Sequence, residues 1–220
     1  MRSERLELAA TIVLSFAVVL TAWSAFEAAK WGGVQATRFS EAAAARTESV
    51  RLDTLAGQQA QLDIAVFMEW SAALADDVVS GLIAPPSTTY EPDTGTRSGF
   101  LFVRIRPEFR TLIDDWLAKS PTTNPDAPAT PFEMDGYQNE RAAEADRLRT
   151  RADQLAADAR TANQNGDNYV LTAVLFAAVL FFAGVTTKVV SERNRLILFG
   201  TSVTTLVIGM LIVFSLPIEI

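Results

Sequence analysis

The stretch Tyr169–Thr187, YVLTAVLFAAVLFFAGVTT, decides the fold of this chain. It contains 19 residues without a charge, and a second uncharged stretch, Leu196–Leu216, follows it after a short basic turn. About 20 consecutive apolar residues cross the hydrocarbon core of a bilayer as one helix. Neither stretch shows the polar stripe, repeated every 3.6 residues, that a soluble core helix carries. Both stretches are therefore predicted to be transmembrane helices.

A third apolar stretch, Leu8–Phe26, lies near the start of the chain. Because basic residues precede it, this stretch also resembles a secretory signal peptide with Ala22-Trp23-Ser24 as a cleavage site. Its 19 residues exceed the usual apolar length of such a peptide, so an uncleaved signal anchor is the preferred interpretation. The sequence thus predicts an all-α membrane protein with three transmembrane helices.

Positive charges near the ends of the spans predict their orientation. Arg2 and Arg5 precede the first span, and the turn between the other two spans contains Lys188, Arg193 and Arg195. Short loops rich in Lys and Arg stay in the cytoplasm, so the N-terminus is predicted to be cytoplasmic. The central part of the chain is then expected to face the periplasm or the cell exterior.

The spans divide the chain into three predicted parts. Residues 1–30 contain the first span, residues 31–167 form an extracytoplasmic helical domain, and residues 168–220 contain the second and third spans. Membrane lipid is therefore an expected partner of the first and last parts.

Two long helices are predicted in the extracytoplasmic domain, over about 34–83 and 137–164, because alanine is frequent there and proline is absent. They are expected to form an antiparallel hairpin, with a small tip region over 84–136 between them. The second helix carries an alanine-rich seam at heptad spacing, typical of a coiled coil. Its residues are Ala145, Leu148, Ala152, Leu155, Ala159 and Ala162.

The composition narrows the chemistry of the protein. The chain has no cysteine and no histidine, which excludes thiolate and imidazole metal sites and catalysis by Ser-His-Asp or Cys-His groups. The adjacent acids Asp76-Asp77 and Asp114-Asp115 diverge by about 100° on a helix, so a solvated face is the favoured interpretation of both pairs. The net charge of −7 argues against nucleic acid. We therefore expect no enzymatic activity, no cofactor and no metal.

The tip region contains a concentrated group of arginines beside aromatic residues. Such arginines can hold an anion, a lipid headgroup or the carboxylate of a partner. The candidate binding residues are Arg104, Arg106, Arg110 and Trp116. Alternatively, the arginines fasten the tip by pairing with nearby acids, namely Glu108, Asp114 and Asp115.

Small residues at helix-packing spacing indicate close contacts between helices. Thr201, Thr205 and Gly209 repeat every four residues in the third span, and Leu148 and Leu155 are the large residues of the heptad seam. Packing within one chain and packing between copies are both compatible with these rows.

Several short strings carry a resemblance to known sequences: RIRPEF over 104–109, WLA over 116–118, and YVL over 169–171. With the proline-rich segment between the first two and the third, they resemble a group of bacterial integral membrane proteins of unknown function. That group has one N-terminal and two C-terminal spans, and the likeness covers nearly the full length. The resemblance implies a location in a bacterial inner membrane. It supplies no catalytic or binding residue that could be assigned to this chain.

These features together predict a non-enzymatic structural or accessory membrane protein that self-associates or scaffolds a membrane complex. One alternative is a homo-oligomeric pore lined by Thr201, Ser202, Thr204 and Thr205, since three spans cannot enclose a channel alone. Another alternative is an extracytoplasmic module that binds a peptide or an anion through the tip. The size of the oligomer distinguishes the pore from the other two.

Overall fold

The computed structural model describes residues 2–86, 88–137 and 139–219, with side chains from residue 6 onward at the N-terminus. Arg2 and Arg5, which contribute to the predicted orientation, lie outside the described side chains. The regular elements are α1 (Arg2–Val79), α2 (Arg97–Phe102), α3 (Pro107–Leu117), a 3₁₀ turn (Pro131–Glu133), α4 (Glu140–Thr186) and α5 (Glu192–Ser215). No strand occurs in these described ranges, so the all-α prediction is confirmed for them.

Three helices, α1, α4 and α5, contain a segment that is long and apolar enough to cross a membrane. These segments correspond to the three apolar stretches of the sequence. The prediction of three helices able to span a bilayer is confirmed for the described part of the chain.

The long helices extend further than the sequence predicts. α1 continues from its apolar segment through Gly32 and Gly33, and α4 continues through Gly166 into its own apolar segment. A glycine in a helix costs about 1 kcal/mol relative to alanine, which weakens a long helix without ending it. The sequence predicts a boundary between each span and the neighbouring extracytoplasmic helix, near residues 30–34 and 164–168. Neither boundary is a helix end, because α1 and α4 continue through them.

A glycine cap ends α1 at Val79, before the predicted limit at residue 83. Gly81 has a φ of +70°, in the left-handed region that glycine adopts without strain. The Gly81 N–H donates to the Val78 carbonyl at 3.0 Å, and the Leu82 N–H donates to the Asp77 carbonyl at 2.9 Å. These two bonds define a Schellman motif. The cap, rather than the prolines that follow, terminates the helix.

The chain folds into two compact units, residues 1–45 with 150–220 and residues 46–149. We call the first the spanning unit, because it contains the three apolar segments. In it α1 and α4 lie antiparallel: the Thr172 hydroxyl donates to the Ser24 hydroxyl at 3.0 Å, and Ala42 packs with Leu155 and Ala156. The second apolar segment supplies four buried residues of this core, Tyr169, Phe176, Val179 and Ala183, and the first two are its largest.

The residues after α5 are bound to the rest of the spanning unit. The Pro217 carbonyl accepts hydrogen bonds from Trp31 Nε1 at 3.2 Å and from the Tyr169 hydroxyl at 3.1 Å. The Glu219 N–H donates to the carboxylate of Glu27 at 3.0 Å, and Glu27 is only 1% exposed. We call residues 217–219 the C-terminal tail.

We call residues 46–149 the aromatic unit, because stacked and edge-on rings form its core. Phe67 of α1 lies 5.6 Å from both Trp116 and Phe132, and Trp70 lies 5.3 Å from Phe102, measured between ring centroids. Edge-to-face ring pairs add about 0.5–1.5 kcal/mol each beyond the area they bury. This core joins α2, α3 and the 3₁₀ turn to α1. In the same unit the Ser49 hydroxyl donates to the Ala145 carbonyl, and the Asn139 side-chain amide donates to the Ala56 carbonyl. These two contacts show that α1 and α4 are antiparallel here as well.

Candidate functional site

Arg106, a residue of the predicted anion site, is bound to a buried acid of its own chain. Its Nε and Nη2 donate to the Asp63 carboxylate at 2.9–3.1 Å, and the Asp63 side chain is 5% exposed. The Tyr137 hydroxyl at 3.1 Å and Gln59 Nε2 at 3.0 Å donate to the same carboxylate. Glu108 is a more distant second acid, 3.7 Å from Arg106. The charge of Arg106 is thus compensated within the aromatic unit.

This network keeps fixed protonation states around neutral pH. The hydrogen bonds to Asp63 raise the pKa of the Arg106 guanidinium above its ordinary value. Burial, and next the negative charge of Asp63, raise the pKa of the Tyr137 hydroxyl above 10. Arg106 therefore stays charged and Tyr137 stays a neutral donor. The cluster has the chemistry of a structural clamp, since the buried carboxylate is matched by a guanidinium and by hydrogen-bond donors of its own chain.

The other candidate residues of the anion site have separate local contacts. The Arg104 guanidinium lies 3.4 Å from the centroid of the Phe100 ring, and its Nη1 donates to the Phe100 carbonyl at 2.7 Å. Trp116 Nε1 donates to the Pro128 carbonyl at 2.8 Å. Arg110 Nε is buried without a hydrogen-bond partner among the described residues. Two of the three arginines are thus engaged inside the chain.

The adjacent acid pairs are not simple solvated faces. Asp77 is 6% exposed and accepts a hydrogen bond from the Ser98 N–H at 2.8 Å, so the solvated prediction is wrong for this residue. Hydrogen bonding with Ser98, through its hydroxyl and its backbone N–H, lowers the pKa of the Asp77 carboxyl. Asp114 accepts the Tyr90 N–H at 3.2 Å instead of an arginine. Both acids fasten the segment between α1 and α3.

The candidate packing row of α5 is used within the chain at one end. A Cβ on Gly209 would lie 2.7 Å from Cε1 of Phe176, so α5 and α4 meet closely there. Thr205 is half-buried, whereas Thr201 is exposed and donates its hydroxyl to the Ile197 carbonyl at 2.9 Å. Intramolecular packing therefore explains Gly209, whereas Thr201 at the other end of the row is exposed among the described residues.

The residues of the predicted pore lining do not share one environment. Ser202 is fully buried, and its hydroxyl donates to the Phe199 carbonyl at 2.8 Å. Thr201 and Thr204 are exposed. Ser202 faces the packed interior of the spanning unit, so it is unavailable to line a shared conduit.

The heptad seam of α4 is covered by its own chain. Leu155 is 9% exposed in contact with Ala42, and Leu148 is half-buried. The alanines of the seam are all buried, namely Ala145, Ala152, Ala159 and Ala162. The seam is therefore not a free surface for a second copy.

A second seam, which was not predicted from the sequence, lies on the exposed face of α1 in the aromatic unit. It repeats at a four–three spacing and every member is exposed and uncharged. The residues are Thr54, Gln58, Gln61, Ala65, Met68, Ala72, Ala75 and Val79. We call this set the outer stripe. Alanine and glutamine give the sequence little hydrophobic periodicity, so the stripe does not stand out as an apolar pattern. Asp63 is the one charged residue over 54–68, and because it is buried, this part of α1 exposes no charge.

The outer stripe exposes apolar area on a helix outside the three apolar segments. Met68 is 64% exposed and Val79 is 88% exposed, and Leu62 beside the stripe is 61% exposed. Large exposed apolar side chains that lie close together are typical of surfaces that contact a protein or a membrane. The exposed face of α4 in the same unit is instead rich in charge, with Glu140, Arg141, Glu144 and Arg147.

Among the described residues, no three acidic side chains come together in a way that could hold a metal ion. Comparison of the chain with protein-family models, with curated proteins and with solved structures finds no match in any of the three. The resemblance to bacterial membrane proteins of unknown function stays a prediction, and the candidate surfaces are judged by their geometry.

Proposed function

We propose that the protein is a non-enzymatic, membrane-anchored structural protein that self-associates through the outer stripe of α1. The observation that carries this proposal is the stripe itself: eight exposed, uncharged residues at heptad spacing. Helices bury such rows against another helix by packing side chains of one into gaps of the other. The heptad seam of α4, by contrast, is already covered by its own chain.

A second copy of this chain is the occupant that fits the stripe. With a net charge of −7, most faces of one copy repel the same face of another, whereas the stripe carries no charge. Copies inserted in one membrane share an orientation, so identical residues are brought to the same level. A twofold axis then places each stripe against its equivalent.

The small and amide side chains of the stripe suit such a contact. Ala65, Ala72 and Ala75 allow close approach, and Gly57, one turn before Gln61, has open space around its Cβ position. Gln58 and Gln61 each carry a donor and an acceptor, so they can bond to their own equivalents across a twofold axis.

The membrane setting belongs to the same proposal. We place the protein in a bacterial inner membrane with its N-terminus in the cytoplasm and the aromatic unit outside. Lys188 between α4 and α5, with Arg193 and Arg195 in the first turn of α5, supports this orientation through the positive-inside rule. The antiparallel contacts of α1 with α4 within each unit support the predicted helical hairpin.

Cysteine cross-linking tests the twofold contact directly, because the natural chain has no cysteine. We expect Met68→Cys to form a disulfide-linked dimer when native membranes are oxidised, since a twofold axis brings the two Met68 positions together. Ala143→Cys, an exposed position on α4 of the same unit, is the matched control and should stay monomeric. Equal cross-linking of the two variants would contradict the proposal.

A charge placed in the stripe should separate the copies. Ala65→Glu adds a carboxylate at the contact, whereas Ala143→Glu adds the same group to an exposed face elsewhere. We expect the first variant to halve the particle mass measured by light scattering with correction for bound detergent, and the second to leave it unchanged. A wild-type particle that is already monomeric at low detergent would rule out self-association. A ring of many copies with an open axis would favour the pore instead.

A further inference from the structure

A groove of about 630 Å³ lies in the spanning unit, between α1 and the C-terminal tail. Phe26 and Val34 contribute its apolar wall, and Lys30 and Glu219 contribute opposite charges. Its volume is in the range of sites for small ligands. The groove begins at Phe26, where the apolar segment of α1 ends.

The tail wall of the groove is fixed by hydrogen bonds. Trp31 and Tyr169 both donate to the Pro217 carbonyl, and the Glu219 N–H donates to the buried Glu27 carboxylate. These contacts hold the backbone of Glu219 in place beside α1. The Glu219 side chain therefore starts from a fixed backbone position and lines the groove.

The remaining charges of the groove are partly neutralised. Arg38 Nη1 pairs with Glu41 at 3.0 Å. Lys30 and Glu219 have no ion pair in the described part of the chain. The groove thus offers one free ammonium and one free carboxylate, with a net charge of zero over its four ionised residues.

We propose that this groove binds the headgroup of a phospholipid that carries a phosphate and a primary ammonium, the phosphatidylethanolamine class. Lys30 binds the phosphate, and Glu219 accepts hydrogen bonds from the ammonium. A primary ammonium has three N–H donors, whereas the quaternary ammonium of phosphatidylcholine has none. A purely anionic headgroup would occupy Lys30 and leave the Glu219 carboxylate without a cation.

The position of the groove fits a lipid rather than a soluble ligand. Tryptophan and tyrosine concentrate at the level of the headgroups, and Trp31 and Tyr169 lie beside the tail. Phe26 is 55% exposed and Trp23 is 42% exposed, so they offer apolar surface to the acyl chains below the headgroup. The assignment requires the three helices to be inserted in a membrane and does not depend on the outer stripe.

Native mass spectrometry of the full chain, titrated with lipids of identical acyl chains, tests the proposal. We expect phosphatidylethanolamine to bind about tenfold more tightly than phosphatidylcholine or phosphatidylglycerol, the effect of one charge-assisted hydrogen bond. Lys30→Glu and Glu219→Lys should each abolish the preference. The double variant Lys30→Glu, Glu219→Lys should restore it, because the two charges exchange places. Lys119→Glu makes the same charge change in the aromatic unit and should have no effect.

Four results would overturn the assignment: equal binding of the three lipids, a preference for phosphatidylglycerol, an unchanged preference in either single variant, or no recovery in the double variant. Glycerophosphoethanolamine, the same headgroup without acyl chains, distinguishes a lipid from a soluble ligand. It should bind more weakly than the lipid. Equal affinity would assign the groove to a soluble ligand instead.

Discussion

Asp63 lies on the inner face of α1 with 5% of its side chain exposed, and three other side chains donate hydrogen bonds to it. Removing a carboxylate from water is costly unless a cation and hydrogen bonds compensate it. Arg106 supplies the cation. Breaking this pair from one side leaves a buried charge without a partner.

We therefore predict that Arg106→Met lowers the free energy of unfolding of the aromatic unit by about 3 kcal/mol. The double variant Asp63→Leu, Arg106→Met should recover most of this loss, because no buried charge remains. Denaturant titration followed by tryptophan fluorescence measures both changes.

Arg51→Met is the control, since the Arg51–Glu48 pair is exposed and water screens the attraction between its charges, so it should contribute little to stability. Equal losses in Arg106→Met and Arg51→Met would show that the clamp does not stabilise the unit.

The face of α1 that contains Asp63 could not be predicted from periodicity alone. A three–four spacing over residues 52–66 indicates a core stripe that includes Leu62, but Leu62 is 61% exposed. The members of this spacing are Leu52, Leu55, Gln59, Leu62 and Val66. The helix is turned so that its neighbour Asp63 is buried. The partners that make this possible, Arg106 and Tyr137, lie far along the chain, where a pattern local to α1 carries no information.

Among the elements, α5 shows how one residue sets the distance between two helices. Gly209 lets α5 approach the Phe176 ring of α4, whereas Gly200 of the same helix has nothing within 4 Å of its Cβ position. The two glycines therefore differ only in what surrounds them.

We predict that Gly209→Ala lowers the thermal stability of the detergent-solubilised protein, at a cost of about 1–3 kcal/mol, because the added methyl overlaps Phe176. Gly200→Ala should leave stability unchanged or raise it by up to about 1 kcal/mol through helix propensity. The particle mass should be the same in both variants. A fall in mass with Gly209→Ala would mean that this row contacts a second copy.

The elements themselves were predictable to different degrees. Uncharged stretches of about 20 residues identified the apolar segments of α1, α4 and α5, since few other structures accommodate them. Helix ends were less accessible, because the cap at Gly81 depends on one backbone conformation. The anion site was predicted from three nearby arginines, but their spacing does not reveal that Arg106 and Arg104 have partners of their own.

For the whole molecule, the distribution of positive charge predicts an orientation in the membrane. Lys188 lies in the short connection between α4 and α5, and Arg193 and Arg195 lie in the first turn of α5, so all three count in the positive-inside rule. Thr94 and Ser191 are both exposed and lie in the aromatic unit and in this connection, respectively.

We predict that an impermeant thiol reagent labels Thr94→Cys in intact cells and leaves Ser191→Cys unlabelled, because the reagent reaches only the outer side. Both variants should react after the cells are permeabilised, which is the control for accessibility. Labelling of Ser191→Cys alone would reverse the orientation.

The hydrogen bond from Trp31 to Pro217 has a consequence for the order of biosynthesis. Its two partners are separated by 186 residues, so at about 5–20 residues per second the acceptor is synthesised roughly 10–40 s after the donor. During that interval the Trp31 indole and the Glu27 carboxylate lack their native partners in the tail. The contacts of α1 with the tail are therefore the last of its native contacts to become available during synthesis.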